Sequence, residues 1–116
     1  MKDIIVEVTG SITIVQMGQR IDFSNAKEYE EMLLNVLAEG TQNLLLDLSH
    51  TNYMGSAGLR VLLILAKKLS KNNGFFALCE IHPSVFEVFE AGGFHKIFRI
   101  YKKREEAILD HLSPDI

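Results

Sequence analysis

Ser56 is the residue best placed to do chemistry in this chain. The segment Asp47-Leu48-Ser49-His50-Thr51-Asn52-Tyr53-Met54-Gly55-Ser56-Ala57-Gly58-Leu59-Arg60 carries an apolar strand into a helix and leaves one hydroxyl at the junction. A serine at a helix start can do three things. It can cap the helix by accepting a hydrogen bond from an unpaired N–H two or three residues on, while Gly55 and Gly58 let the backbone turn tightly and admit a close neighbour. It can be a nucleophile in a strand–turn–helix elbow, but that motif needs Gly-x-Ser-x-Gly and Met54 stands two places before Ser56. Half of the motif is missing, and a base would have to come from His82, His95 or His111. Finally, it can accept a phosphate. The added charge of about −1.5 to −2 would meet free backbone N–H groups and the positive end of the helix dipole, and would be displayed to whatever docks there.

Other chemistries find less support. Cys79 and His82 have a metal-like C-x-x-H spacing, but no second pair with ligand spacing accompanies them, so neither metal nor cofactor is expected. A single cysteine cannot close an internal disulfide, which agrees with a reducing compartment, and Cys79 ends an apolar strand where burial is the default. With 15 acidic against 12 basic residues, a formal charge of −3 and the basic residues scattered or in short runs such as Lys102-Lys103-Arg104, direct nucleic-acid binding is not expected. The N-terminus Met1 to Glu7 reads as a strand start rather than a signal peptide. The apolar run Val61 to Ala66 is far short of a membrane span, so no membrane insertion and a cytoplasmic location are expected.

The elements that must position Ser56 follow from periodicity. The run Leu44-Leu45-Leu46 with Leu48 reads as a strand buried on both faces, and Leu59, Leu62, Leu63, Ala66 and Leu69 mark the stripe of an amphipathic helix. Upstream, Ile4 to Val8 and Ser11 to Met17 alternate as a hairpin about Thr9-Gly10. Asp22 and Ser24 are cap candidates for a helix with Ala26, Tyr29, Leu33, Val36 and Leu37 on one face, ended by Gly40. Downstream, Asn72-Asn73-Gly74 stops the Ser56 helix and Phe75 to Cys79 is a strand. Pro83 opens a helix with Val85, Phe86 and Phe89 inward, closed by Gly92-Gly93. Ile97 to Tyr101 reads as a last short strand, and Arg104 to Leu112 as a last helix with Ala107, Ile108 and Leu112 inward, stopped by Pro114. At 116 residues and 47% hydrophobic, the chain is expected to be one domain, 1–116, burying roughly 60 to 70% of its unfolded surface. The class is α/β, a single layer of mixed sheet of about five strands with helices packed on it. Open α/β sheets place binding sites at the carboxyl ends of strands, where Gly55-Ser56 falls.

Asp47-Leu48-Ser49, the pair Tyr53-Met54, and Ser56-Ala57-Gly58-Leu59-Arg60-Val61-Leu62-Leu63 resemble the signature of the STAS family, the bacterial anti-sigma-factor antagonists. The resemblance spans nearly the whole chain. Ile21-Asp22 before the first helix, the strand led by Gly74, the helix led by Pro83 and the segment Gly93-Phe94-His95-Lys96-Ile97-Phe98 each match a family landmark in order. What the resemblance implies is a non-enzymatic partner switch. The serine matching Ser56 is phosphorylated by a partner that is both an anti-sigma factor and a serine protein kinase, and a serine phosphatase reverses it. The implied partner-facing surface comprises Asp22, Ser24, Tyr53, Met54, Gly55, Ser56, Ala57, Gly58 and Arg60, with one of Tyr53 and Met54 turned inward. This chain has Gly55 where many antagonists carry an acidic residue, and Gln19, one place after Gly18, where many carry glycine. Other members of the family serve as non-phosphorylated docking modules of larger assemblies, and that alternative stands beside the first.

Overall fold

The computed structural model describes residues 4–112. Expectations for Met1 to Asp3 and for Pro114 lie outside them, as does the side chain of Leu112. The chain runs β1 (Ile5–Thr9), β2 (Ile12–Gln16), β3 (Arg20–Ile21), α1 (Ala26–Ala38), β4 (Asn43–Asp47), β5 (Tyr53–Met54), α2 (Ser56–Lys71), β6 (Phe75–Cys79), α3 (Pro83–Ala91), a 3-10 turn (Phe94–Lys96), β7 (Ile100–Tyr101) and α4 (Arg104–Leu112). Five strands form one mixed sheet in the order β1-β2-β4-β6-β7, with β1 antiparallel to β2 and the other neighbours parallel.

The period of two along the central strands divides the interior between two faces. Val15, Leu44, Leu46 and Leu78 join Tyr29 and Leu33 of α1, Leu62, Leu65 and Leu69 of α2, and Val85 and Phe89 of α3 in the main core. Ile12, Ile14, Leu45, Ala77 and Cys79 point the other way, where Ala107 of α4 covers them. Burial on both sides explains why β4 reads as an unbroken apolar run. It also pushes the Cys79 thiol up to about 12, so this cysteine stays a neutral, inert core residue.

Several boundaries differ from expectation. The inward face of α2 is Leu59, Val61, Leu62, Leu65 and Leu69, while Leu63 and Ala66 are only half-buried. In α3, Phe86 is half-buried beside the inward Val85 and Phe89. The segment from Ile97 is not a strand until Ile100, because Gly93, at φ 75, turns the chain into the 3-10 turn and leaves Ile97 60% exposed. Neither Asp22 nor Ser24 caps α1; its N-cap is Asn25, with no side-chain cap bond.

One polar cluster holds the α4 side together. Arg104 places Nε at 2.9 Å and one terminal nitrogen at 2.8 Å from Asp47 Oδ2, and its other nitrogen at 3.0 Å from Glu7 Oε1. The fork ties β1, β4 and α4 together around a carboxylate that is only 3% exposed. Burial would raise the Asp47 carboxyl, but hydrogen bonds from the Ser49 side chain and backbone and from Arg104 outweigh it and hold it below the usual range.

Candidate functional site

The Ser56 corner is assembled by a second, two-stranded sheet in which β3 and β5 pair in parallel, Arg20 with Tyr53 and Ile21 with Met54. Backbone bonds zip the loops around it, from Asn52 N–H to the Gln19 carbonyl at 2.9 Å and from Gly55 N–H to the Ile21 carbonyl at 2.9 Å. Underneath, the Thr51 hydroxyl donates to the Gly18 carbonyl at 2.7 Å and Gly18 N–H donates to the Tyr29 hydroxyl at 3.1 Å. The loop before α1 and the loop before α2 are therefore one rigid unit.

Within it, Ser56 is the first residue of α2, not its cap. The cap position belongs to Gly55, in extended backbone, with no side-chain cap bond. Gly58 and Leu59 donate back to the Gly55 carbonyl at 3.0 and 3.2 Å, which leaves the amides of Ser56 and Ala57 without a carbonyl inside the helix. The Ser56 side chain is exposed. Gly58 is there because α2 leans on the small sheet. A Cβ on it would stand 2.9 Å from Ile21 Cγ2, 2.9 Å from Met54 Cγ and 3.1 Å from the Ile21 carbonyl oxygen. A Cβ on Gly55 would make only ordinary contacts, 3.7 Å to the Tyr53 ring and 3.9 Å to Asp22 Cα.

The Asp22 turn forms the other wall. Asp22 Oδ1 accepts from the Ser24 amide at 3.0 Å and the Ser24 hydroxyl at 2.5 Å, and the Asp22 carbonyl accepts from Ala26 N–H at 2.8 Å. The Ser24 hydroxyl and amide, with a lesser contribution from Arg20, hold the Asp22 carboxyl below its ordinary value, so it is ionised at neutral pH. Arg20 reaches Asp22 Oδ2 at 3.3 Å and lies over the Tyr53 ring, 4.3 Å from its centroid. Of the expected surface, Met54 is the inward partner, 2% exposed, and Tyr53 the outward one, 45% exposed. Arg60, four residues after Ser56 and so on the same side of α2, is exposed, with only a loose 3.9 Å contact to Glu30. Gly58 is buried and Ala57 half-buried, so these two shape the corner rather than present side chains.

The loop from Arg20 to Ser24, which the family resemblance places beside Ser56, holds two residues not singled out from the sequence. Phe23, held at the tip of the Asp22 turn, is 89% exposed, and Arg20 bridges Asp22 and Tyr53. The available signal was a lone aromatic inside the polar run Asp22-Phe23-Ser24-Asn25. The histidines proposed as possible bases are engaged elsewhere: His82 Nε2 with the Ser49 carbonyl at 2.9 Å, His95 against Phe86, and His111 with the Ser11 hydroxyl and the Phe75 ring. Cys79 is buried in the α4-side core whereas His82 is exposed, so the C-x-x-H pair does not converge. Among the described residues no helix is long and apolar enough to cross a membrane.

A mixed five-stranded sheet, a rigid two-loop corner and an exposed serine opening a helix define a small α/β interaction domain. The STAS domain model matches residues 3–107, and the chain belongs to that family. BtrV of Bordetella bronchiseptica, a protein named for anti-sigma factor antagonism, is 41% identical over 87 residues, 75% of each chain. RsfB of Mycobacterium tuberculosis, named an anti-sigma-F factor antagonist, is 25% identical over 97 residues, 84% of this chain and 79% of the other. Among solved structures, an anti-sigma factor antagonist from Mycobacterium paratuberculosis superposes with a TM-score of 0.85 at 26% identity, covering 92% of this chain and 91% of the other.

Proposed function

We infer that this chain is an anti-sigma-factor antagonist. Without phosphate it binds an anti-sigma factor that is also a serine kinase, and that binding ends when the kinase phosphorylates Ser56; a serine phosphatase restores it. The observation that carries the reading is the position of Ser56, exposed as the first residue of α2 and fixed beside the Asp22 turn by the bond from Gly55 to Ile21. The family membership and the names of its relatives support the choice of partner.

The chemistry of the corner suits a switch. A phosphate on Ser56 would find the free amides of Ser56 and Ala57 and the positive end of the α2 dipole, so the fold can carry it. Arg60, weakly held by Glu30, is one turn away and can swing to the new charge. In the complex the same phosphate is pressed into an interface that already contains the ionised Asp22. Desolvation and like-charge repulsion there can cost several kcal/mol, and about 3 kcal/mol is roughly a hundredfold in affinity. Phe23 and Tyr53 supply the exposed aromatic anchors on which such interfaces depend.

Calorimetric titration with the cognate anti-sigma factor tests the reading. Ser56→Ala should bind like the wild type yet accept no phosphate, and Ser56→Glu should bind more weakly. Uptake of phosphate by Ser56→Ala would move the acceptor elsewhere, with Ser49 the other serine of the segment, since Thr51 is buried with its hydroxyl on the Gly18 carbonyl. One feature favours a second reading, a docking module that is never phosphorylated: Gly55 offers no acidic side chain beside the serine, while the Phe23–Tyr53 surface needs no phosphate to work.

A further inference from the structure

A second surface lies at the other end of α2. An open groove of ≈ 920 Å³ runs along the amino ends of β4 and β6, between the second half of α2 and the segment Ile97 to Arg99. Its apolar lining includes the rings of Phe75, Phe76 and Phe98, and its cations are Lys67 and Arg99. The Arg99 guanidinium lies over the Phe75 ring, 5.0 Å from its centroid. No lining residue is Asp or Glu, although acidic residues outnumber basic ones in the chain as a whole. Lys67 also lines a smaller adjoining groove with Lys68 and Lys71. Among the described residues none of these three lysines, nor Arg99, forms an ion pair. Lys68 and Lys71 sit in the last turn of α2, where they complement the helix carbonyls. Lys67 has no such duty, and Arg99, though it packs over Phe75 and reaches the Tyr101 hydroxyl, has no carboxylate partner among the described residues.

We propose that this groove docks an acidic segment of a partner protein that lays an aromatic or aliphatic side chain along its apolar lining while its carboxylates meet Lys67 and Arg99. Charge complementarity carries the choice of occupant. A concave groove with an aromatic floor fits a side chain and not the flat face of a bilayer, and two fixed cations are too few to follow a nucleic-acid backbone. From Ser56 to Ser70 the helix rises roughly 21 Å at 1.5 Å per residue, so both surfaces can be occupied together. The chain then bridges two partners, and this second contact does not depend on the state of Ser56.

The test is selection of a random peptide display library against the full chain and against the double variant Lys67→Glu/Arg99→Glu, with melting curves confirming that the variant folds. Enriched peptides should be acidic with one large apolar residue, should lose binding by about tenfold or more on the double variant, and should bind Ser56→Glu unchanged. Their amide-shift footprint should fall on Lys67, Phe75 and Arg99. Lack of enrichment, peptides without acidic character, equal binding to the double variant, or a footprint at Phe23 and Tyr53 would each overturn the proposal. So would tighter binding of the same face to phosphatidylserine vesicles than to any selected peptide.

Discussion

Replacing Gly58 by alanine tests whether the Ser56 corner depends on the close approach of α2 to the small sheet. The added carbon would stand 2.9 Å from both Ile21 Cγ2 and Met54 Cγ, where carbon atoms prefer about 3.5 to 4.0 Å. It would also stand 3.1 Å from the Ile21 carbonyl, which is held by Gly55 N–H and cannot turn away freely. Relief therefore requires α2 to retreat by roughly 0.6 Å or more, an overpacking that costs about 1–3 kcal/mol. Alanine returns up to about 1 kcal/mol through its better helix propensity. The net loss is about 1–2 kcal/mol, or a drop in Tm of about 4–8 °C for a chain of this size. Calorimetric melting checks the value, and urea unfolding should show a lower midpoint with an unchanged slope. Binding to the anti-sigma factor should fall further than this loss explains, because the retreat separates Ser56 from the Asp22 turn. A variant as stable as the wild type, or more stable, would refute the packing argument.

The neighbouring glycine behaves differently. The Cβ of Gly55→Asp would meet nothing closer than 3.7 Å, so Tm should stay within about 2 °C of the wild type, and phosphorylation of Ser56 measured with the cognate kinase should not decrease. Phe23→Ala should leave the melting curve unchanged, since the ring is 89% exposed, yet weaken binding to the anti-sigma factor by about 2 kcal/mol or more in titration calorimetry. Removal of the Arg104 side chain strands the buried Asp47 carboxylate. Because Arg104 keeps some solvent contact, Arg104→Ala should cost about 2–3 kcal/mol in urea unfolding. The depressed Asp47 carboxyl also sets a pH dependence. Its contribution is fully present above the unfolded value near 4 and is lost as pH falls through the lower folded value, so Asp47→Asn should flatten this part of the acid limb of the stability curve.

The long periodic elements were legible because burial on one or both faces writes a period into the sequence. Leu44 to Leu48 and the stripe from Leu59 to Leu69 announced β4 and α2, and Pro83 and Gly40 marked ends that the structure keeps. The small sheet was not legible. Each of its strands has two residues, too few for any period, and its pairing joins Arg20 to Tyr53 across thirty-three positions. For the same reason the Arg104–Asp47 pair left no local trace. Ser56 was found at the helix start, but of the three roles open to it capping falls away, since the cap position is Gly55, a one-residue shift at the point where helix boundaries are least sharply written. Phe23 was missed because an exposed aromatic on a turn belongs to no core pattern; only the folded turn shows that it has nowhere to be buried.

The most direct test of the switch is intact-mass and fragment mass spectrometry of the protein taken from its native cells under several growth conditions. The account predicts a single phosphate, on Ser56, whose occupancy changes with condition. Phosphate found only on another residue, or protein unmodified under every condition, would contradict it.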